Sequence, residues 1–260
     1  MKSGGRFRQK VTENKFSFNH EIIQKKWDVN PFMKITDIVY EVLEKAIMTT
    51  ELAPGTRINI NKISKELGVS NSPVRDAVER LIGKGMIIRI DDKDRKHKSY
   101  YVFDINKKEI ADLFTARSAI ECVAASICAQ DNWRLDMRIM DDLNKDFTES
   151  LSTFGSDSQQ AMMLASEYDR KFHRLIINGA KNNYLLQMYE TIEIQLKYLS
   201  IRTCEYMTRS PNANVQQLVS QHRAIYNAIN LGFPDLARSV MDKHIQFCSN
   251  NCLIQKKDGE

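Results

Sequence analysis

The sequence predicts a mainly α-helical protein in two parts. The first is a small unit of helix, strand, helix, tight turn, helix and hairpin; the second is an antiparallel all-helical bundle. Three observations predict this. Apolar residues recur at helical spacing from Ile35 onward. Turn signals and short β-prone runs punctuate the chain as far as Asp104. Beyond Ile105 only long amphipathic segments follow, with no strand pattern.

Residues 1–33 are polar, basic and poorly periodic, and read as a flexible arm with room for a short helix at His20–Trp27. Ile35, Ile38, Val39, Val42, Leu43, Ala46 and Ile47 then form one apolar stripe of a helix. Pro54-Gly55 marks the turn that ends it near Thr50. Arg57–Ile60 is β-prone. Asn61 is placed to cap a helix over Lys62–Leu67, and Gly68 to terminate it. After the Val69-Ser70 turn, Ser72 caps a further helix with Pro73 in its first turn, where a missing N–H costs nothing. Val74, Ala77, Val78, Leu81 and Ile82 supply its buried face, and Gly85 ends it. Two β-prone runs, Met86–Ile90 and Tyr100–Asp104, flank a polar loop at Asp91–Ser99. This is the order of a winged helix-turn-helix, assigned to residues 34–104.

The bundle is assigned to residues 105–250. Its helices are read at Lys107–Ala129, Arg134–Leu151, Gln159–Ile177, Asn182–Thr208, Val215–Leu231 and Pro234–Asn250. Breaks fall at Phe154-Gly155-Ser156, Gly179, Ser210-Pro211-Asn212 and Gly232. Residues 251–260 read as a disordered tail.

Composition excludes several classes. Five cysteines without a CxxC pair read as free thiols of a cytoplasmic protein. No apolar run follows the basic N-terminus, so no signal peptide is expected. None approaches the ~20 residues of a membrane span. A net charge of +5 permits a polyanionic partner without requiring one, so the placement of charge matters more than the total.

That placement is informative. Ser70, Asn71, Ser72 and Arg75 sit at the amino end of the second helix of the helix-turn-helix. Hydroxyls and free backbone N–H groups there suit phosphate oxygens. Asn71 has the donor–acceptor pair for adenine, and Arg75 that for guanine. Arg80, a turn further on, is a solvated or phosphate-facing residue. Arg95, Lys96, His97 and Lys98 give the hairpin a basic tip that can lie along a phosphate backbone or enter a minor groove. Singly, each feature reads equally as a helix cap or a solvated loop; together and in this order they point to double-stranded DNA. The stretch from Ile38 to Val102 resembles the DNA-binding domain of the GntR family. The resemblance is carried by Leu52-Ala53-Pro54-Gly55, Ile63–Gly68 with Val69-Ser70, Ser72-Pro73-Val74-Arg75-Asp76-Ala77-Val78 and Arg80-Leu81. Three positions depart from the family pattern. Asn71 stands where Arg is common, Glu79 where a basic residue is common, and the hairpin tip lacks the usual Gly. The departures bear on the operator sequence, not the fold.

In the bundle, Asp169 and His173 are four residues apart and share a helix face. His222 and His244 each fall in the apolar stripe of their own helix. Imidazoles with a carboxylate suit a divalent ion such as Zn, Ni, Co or Mn, but three satisfied core histidines would give the same pattern. Residues from about Ile110 to Ile245 resemble the FCD effector domain of the FadR subgroup of GntR regulators. The matching stretches are Asp112-Leu113-Phe114 with Arg117 and Glu121, Asp169–His173, Gln221–Ile225 and His244. The resemblance implies that Asp169, His173, His222 and His244 hold a divalent metal. It also implies that Arg117, and with it Arg202, faces a cavity that takes a small carboxylate effector. The alternative for Arg117 is a surface ion pair with Glu121, four residues on.

The resulting expectation is a homodimeric, metabolite-responsive DNA-binding regulator, a repressor rather than an enzyme. A metal-dependent enzyme built on the bundle and a non-sensing architectural DNA binder are the competing classes.

Overall fold

In a computed structural model of the chain, the described residues are 17–91, 98–131, 135–153, 159–209 and 215–255. Two compact units divide at Ile105/Asn106. Each is built around its own apolar core.

The first unit contains α1 (Glu21–Val29), α2 (Ile35–Met48), β1 (Arg57–Ile58), α3 (Ile60–Leu67), α4 (Asn71–Gly83), β2 (Ile87–Asp91) and β3 (Lys98–Val102). From Ile38 onward the α2 stripe is buried and packs on α4, which contributes Val74, Ala77, Val78 and Leu81. The strands form an antiparallel sheet in the order β1-β3-β2, with Ile58 opposite Tyr100 and Ile87 opposite Val102. Gly68 (φ 68°) and Gly85 (φ 73°) make the left-handed turns that end α3 and lead into β2.

Two helix starts differ from expectation. Asn59, not Asn61, caps α3: its side chain accepts the Lys62 N–H at 3.1 Å. An extended backbone at Asn59 makes it the true cap position and leaves Asn61 helical. Helix α4 begins at Asn71 with Ser70 in the cap position, so Ser72 lies inside the first turn. Pro73 is accommodated there because first-turn amides have no intrahelical acceptor.

The short helix read at His20–Trp27 is present as α1, but residues 17–33 are packed in place and not a flexible arm. Phe18 and Ile23 are buried, and α1 packs on α2 and α3. The Phe18 amide donates to Glu66 of α3 at 3.0 Å, Lys26 pairs with Glu41, and the Trp27 indole donates to the Met33 carbonyl at 3.0 Å. Two apolar anchors in so short a segment give no readable periodicity, yet they suffice to tie it down. Residues 1–16 of the expected arm lie outside the described residues.

The second unit contains α5 (Lys107–Gln130), α6 (Met137–Thr153), α7 (Gln159–Gly179), α8 (Asn183–Arg209), α9 (Val215–Asn230) and α10 (Pro234–Gln255). A capping box starts α5: the Asn106 side chain accepts the Glu109 N–H, and Glu109 accepts the Asn106 N–H. Helix α5 runs against α10 and also touches α7, α8 and α9. Ile120, Ala124, Phe172, Ile176, Ile225, Ile229, Met241 and Ile245 form the core between them. At the end of α7, Gly179 lets the helix approach α5 and Leu135 closely. A Cβ there would lie 2.2 Å from Leu135 Cδ1 and 3.0 Å from Cys128 Sγ. Helix α10 runs to Gln255, beyond the expected limit at 250, because Cys252 is buried on the bundle side. All five cysteines are buried free thiols. The breaks expected at 154–156 and 210–212 and the last five residues lie outside the described residues. Among the described residues, no helix is long and apolar enough to cross a membrane.

Candidate functional site

Three helices of the bundle bring four potential donors to one interior point. Asp169 and His173 come from successive turns of α7, His222 from α9 and His244 from α10. All four are buried, and their potential ligand atoms lie within 4.8 Å of one another. His173 Nε2 is 3.1 Å from His244 Nε2 and 3.6 Å from Asp169 Oδ1; His222 Nε2 is 3.2 Å from the same oxygen. Phe147 and Phe172 stack on the two faces of the His222 ring, at centroid distances of 4.7 and 4.4 Å. Neither His222 nitrogen makes a well-formed hydrogen bond among the described residues, and the one acceptor near Nε2 is Asp169 Oδ1 itself. A buried imidazole so poorly satisfied is costly. Donors ~2.1 Å from one ion would be spaced by about 3.0–3.4 Å, close to the separations seen. The residues therefore fit a divalent metal.

An outer layer turns the rings inward. Glu121 Oε2 is 2.6 Å from His173 Nδ1, and Gln221 Oε1 is 3.3 Å from His244 Nδ1. The Ser200 hydroxyl donates to Asp169 Oδ2 at 2.8 Å. Oxygen partners on the outer atoms leave Nε2 and Oδ1 for the centre, the usual support of metal ligands. Cys248, one turn beyond His244, brings its sulfur to 3.7 Å from His244 Nε2.

The electrostatics match. Burial, followed by the neighbouring histidines and Arg117, pushes His244 well below the usual histidine range. Burial also lowers His222. Both are thus neutral imidazoles with lone pairs to offer. Burial opposes ionisation of Asp169, but contact with His173 and His222 outweighs it and holds the carboxyl well below its ordinary range. For Glu121 burial is likewise outweighed, by Arg117 and His173, and its pKa is lowered. His173 is raised, because Glu121 overcomes the effect of burial.

Arg117 satisfies parts of both expectations. It does pair with Glu121, Nε to Oε1 at 2.7 Å, but the pair is buried, with side chains 8% and 1% exposed, rather than on the surface. It therefore reaches the cluster through Glu121 and His173. Arg202 is half-buried on α8, with Cys252 in its electrostatic reach.

In the first unit, Ser70, Asn71, Ser72 and Arg75 are all exposed at the amino end of α4. Asn71, however, is engaged within the protein. Its Oδ1 accepts the Ser64 hydroxyl at 2.6 Å and its Nδ2 donates to Asn61 Oδ1 at 3.0 Å, bracing the turn between α3 and α4. Adenine pairing would have to break both bonds. Arg80 is not free for phosphate either: it bonds Asp37 of α2 at 2.6 Å and lies over the Tyr40 ring at 4.3 Å. The unexpected Glu79 accepts the Tyr100 hydroxyl at 3.4 Å and sits 3.8 Å from Arg89, tying α4 to the hairpin. Lys98 is exposed at the start of β3; Arg95, Lys96 and His97 lie outside the described residues. Arg57, Asn59, Asn61, Arg75, Lys98 and Tyr100 line one concavity between β1, α3, α4 and β3.

Comparison with known proteins follows the same two-part division. The model of bacterial regulatory proteins of the gntR family matches residues 35–93, and the FCD domain model matches residues 112–247, more than half of the chain. The chain belongs to the GntR family of transcriptional regulators, with a C-terminal FCD domain. This family comprises DNA-binding regulators, not enzymes. Among curated relatives, the GntR/FCD chain is 22% identical to the HTH-type transcriptional regulator YdhC of Bacillus subtilis (strain 168), over 73% of this chain and 78% of that one. It is 25% identical to the HTH-type transcriptional repressor RspR of Escherichia coli (strain K12), over 86% and 91%. The solved structure of E. coli McbR/YncC covers 87% of this chain and 100% of its own at 17% identity, with a TM-score of 0.62, and so shares the fold.

In the sequence Glu121 stands out only as a partner for Arg117, and Ser200 and Gln221 do not stand out by spacing at all, since helix-face spacing reveals a partner on the same helix but not one across the bundle. Cys248, four residues from His244, shares its stripe, and spacing could have flagged it. Arg57 was read only as part of a β-prone run.

Proposed function

We propose that this GntR/FCD protein is a metal-dependent, carboxylate-responsive repressor that binds a two-fold symmetric DNA operator as a homodimer in the cytoplasm. The observation that carries the reading is the burial of Asp169, His173, His222 and His244 with their potential ligand atoms within 4.8 Å of one another. Zn, Ni, Co or Mn suits that donor set.

Charge balance argues for an anionic effector. With all three histidines neutral as metal ligands must be, Asp169 supplies one negative charge, and Glu121 and Arg117 cancel. A divalent ion would leave one positive charge in surplus, which one carboxylate offsets. Arg117, and at lower reach Arg202, would hold the far side of such a ligand.

On the DNA side, Ser72 and Arg75 present short polar and basic groups at the exposed start of α4, with Ser70 on its cap and Lys98 on the hairpin. Two copies would place two such helices in successive major grooves. An effector alters operator affinity only if it binds the two arrangements of the heads unequally. The repressor sign follows relatives such as RspR.

The test is metal analysis of purified protein, then duplex binding followed during titration with small mono- and dicarboxylates. The expected result is about one divalent ion per chain in the tetrahedral range of ligands, and a change in operator affinity with at least one acid. Metal-free protein that binds the operator unchanged in every acid would refute the sensing half of the reading.

A further inference from the structure

We infer that Arg57, on β1, is a phosphate-contacting residue of the DNA interface, and that the concavity it shares with Arg75 and Lys98 seats one strand of the operator backbone. The inference rests on the DNA-binding reading above and extends it to a residue outside the recognition helix and the hairpin tip.

Three observations lead to it. First, Arg57, Arg75 and Lys98 come from three different elements, yet line one recess together with Asn59, Asn61 and Tyr100. All three cations are exposed, and none has an ion-pair partner among the described residues. Several other basic residues of this unit carry such partners (Lys26 has Glu41, Lys62 has Glu66, Arg80 has Asp37 and Arg89 has Glu79), and what sets Arg57, Arg75 and Lys98 apart is that three cations without one among the described residues share one recess. Like charges held together without a counterion cost stability, so the arrangement calls for an anion from outside.

Second, the recess opens beside the amino end of α4, the end a recognition helix offers to DNA. The pairing of Arg57 with Tyr101 and of Ile58 with Tyr100 fixes β1 alongside the hairpin strand that carries Lys98. The backbone of Arg57 is thereby held at the edge of the recess.

Third, the residue that looked ready to read a base is occupied: Asn71 is tied to Ser64 and Asn61. Asn61 forms part of the recess wall, so this network stiffens the seat instead of reaching out of it. The contact made here is with the uniform phosphate chain and not with a base edge, because long flexible cations around a recess match phosphate oxygens without discriminating sequence.

The experiment uses the full chain and a duplex selected from a random pool by the wild-type protein, with an unrelated duplex of equal length beside it. Affinities of the wild type, Arg57→Ala, Arg57→Lys and Arg75→Ala are measured across a series of salt concentrations. The expected result for Arg57→Ala is a similar fold-loss on both duplexes and a slope of log K against log salt that is shallower by about one, with Arg57→Lys keeping most of that slope. Arg57→Ala binding like the wild type, while Arg75→Ala is impaired, overturns this inference and leaves the DNA-binding reading standing. A loss confined to the selected duplex overturns the phosphate assignment in favour of base reading. Wild-type protein that ignores both duplexes at low salt removes the DNA-binding reading and this inference with it. Circular dichroism of each variant separates loss of contact from loss of fold; Arg57 is exposed, so the variants should fold normally.

Discussion

His222 is stacked between two phenylalanine rings with Nε2 3.2 Å from Asp169 Oδ1, and so its ring is positioned before any ligand arrives. Removing it should remove metal. His222→Ala is expected to retain little bound divalent ion after dialysis, read by elemental analysis, while Gln221→Ala, which lacks only an outer partner of His244, should weaken binding by ~10–100-fold. Equal metal content in wild type and His222→Ala would take that residue out of the ligand set. Gly179 makes a prediction of a different kind. Its missing side chain is what admits Leu135 and Cys128, so Gly179→Ala should destabilise the bundle by about 1–3 kcal/mol through overpacking, measurable by urea unfolding. At this scale the sequence was legible in part. His222 and His244 stand out because each lies on an apolar stripe, Asp169 and His173 because they share a helix face, and the resemblance to the FCD domain joins the four into one ligand set. The bonds that occupy Asn71 and Arg80 do not stand out, because their partners Ser64, Asn61 and Asp37 lie on other helices.

Among the elements, α1 shows how little sequence is needed to order a segment and how poorly it advertises itself. Phe18 and Ile23 cover the ground between α2 and α3, and the Phe18 amide is satisfied by Glu66. Phe18→Ala should therefore cost about 3 kcal/mol in unfolding of the first unit, toward the low end for a buried phenylalanine because the segment can partly readjust. A loss under ~0.5 kcal/mol, the range of a surface substitution, would show that α1 contributes nothing to that unit. The recognition helix α4 is braced on both flanks, by Arg80 to α2 and by Glu79 to the hairpin. Arg80→Ala breaks an exposed ion pair and should change stability by less than about 1 kcal/mol. Its effect on duplex affinity should be smaller than that of Arg75→Ala, whose side chain has no such tie. The helices and strands themselves were well placed by periodicity and turn signals. Boundaries moved by a few residues where the cap depended on backbone conformation, as at Asn59 and Ser70.

For the molecule as a whole, a metal that binds only the folded bundle must stabilise it. Protein freed of metal with a chelator should melt several degrees lower than protein given Zn or Ni, since ligand at 100 times its dissociation constant adds ~2.7 kcal/mol. No shift with any of Zn, Ni, Co or Mn would argue that the histidines are structural. The sequence by itself determined the two-part architecture and the order of its helices, which depend on local spacing and turn chemistry that neighbouring residues carry between them. The family and the four residues that meet in the bundle were legible through the resemblance to GntR and FCD domains, because spacing alone fits structural histidines equally well. Only the tertiary structure decided which of the candidate residues are already occupied, which outer groups orient the histidines, and that Arg57 shares a recess with Arg75 and Lys98. Those are contacts between elements distant along the chain, set by packing geometry that no local pattern encodes.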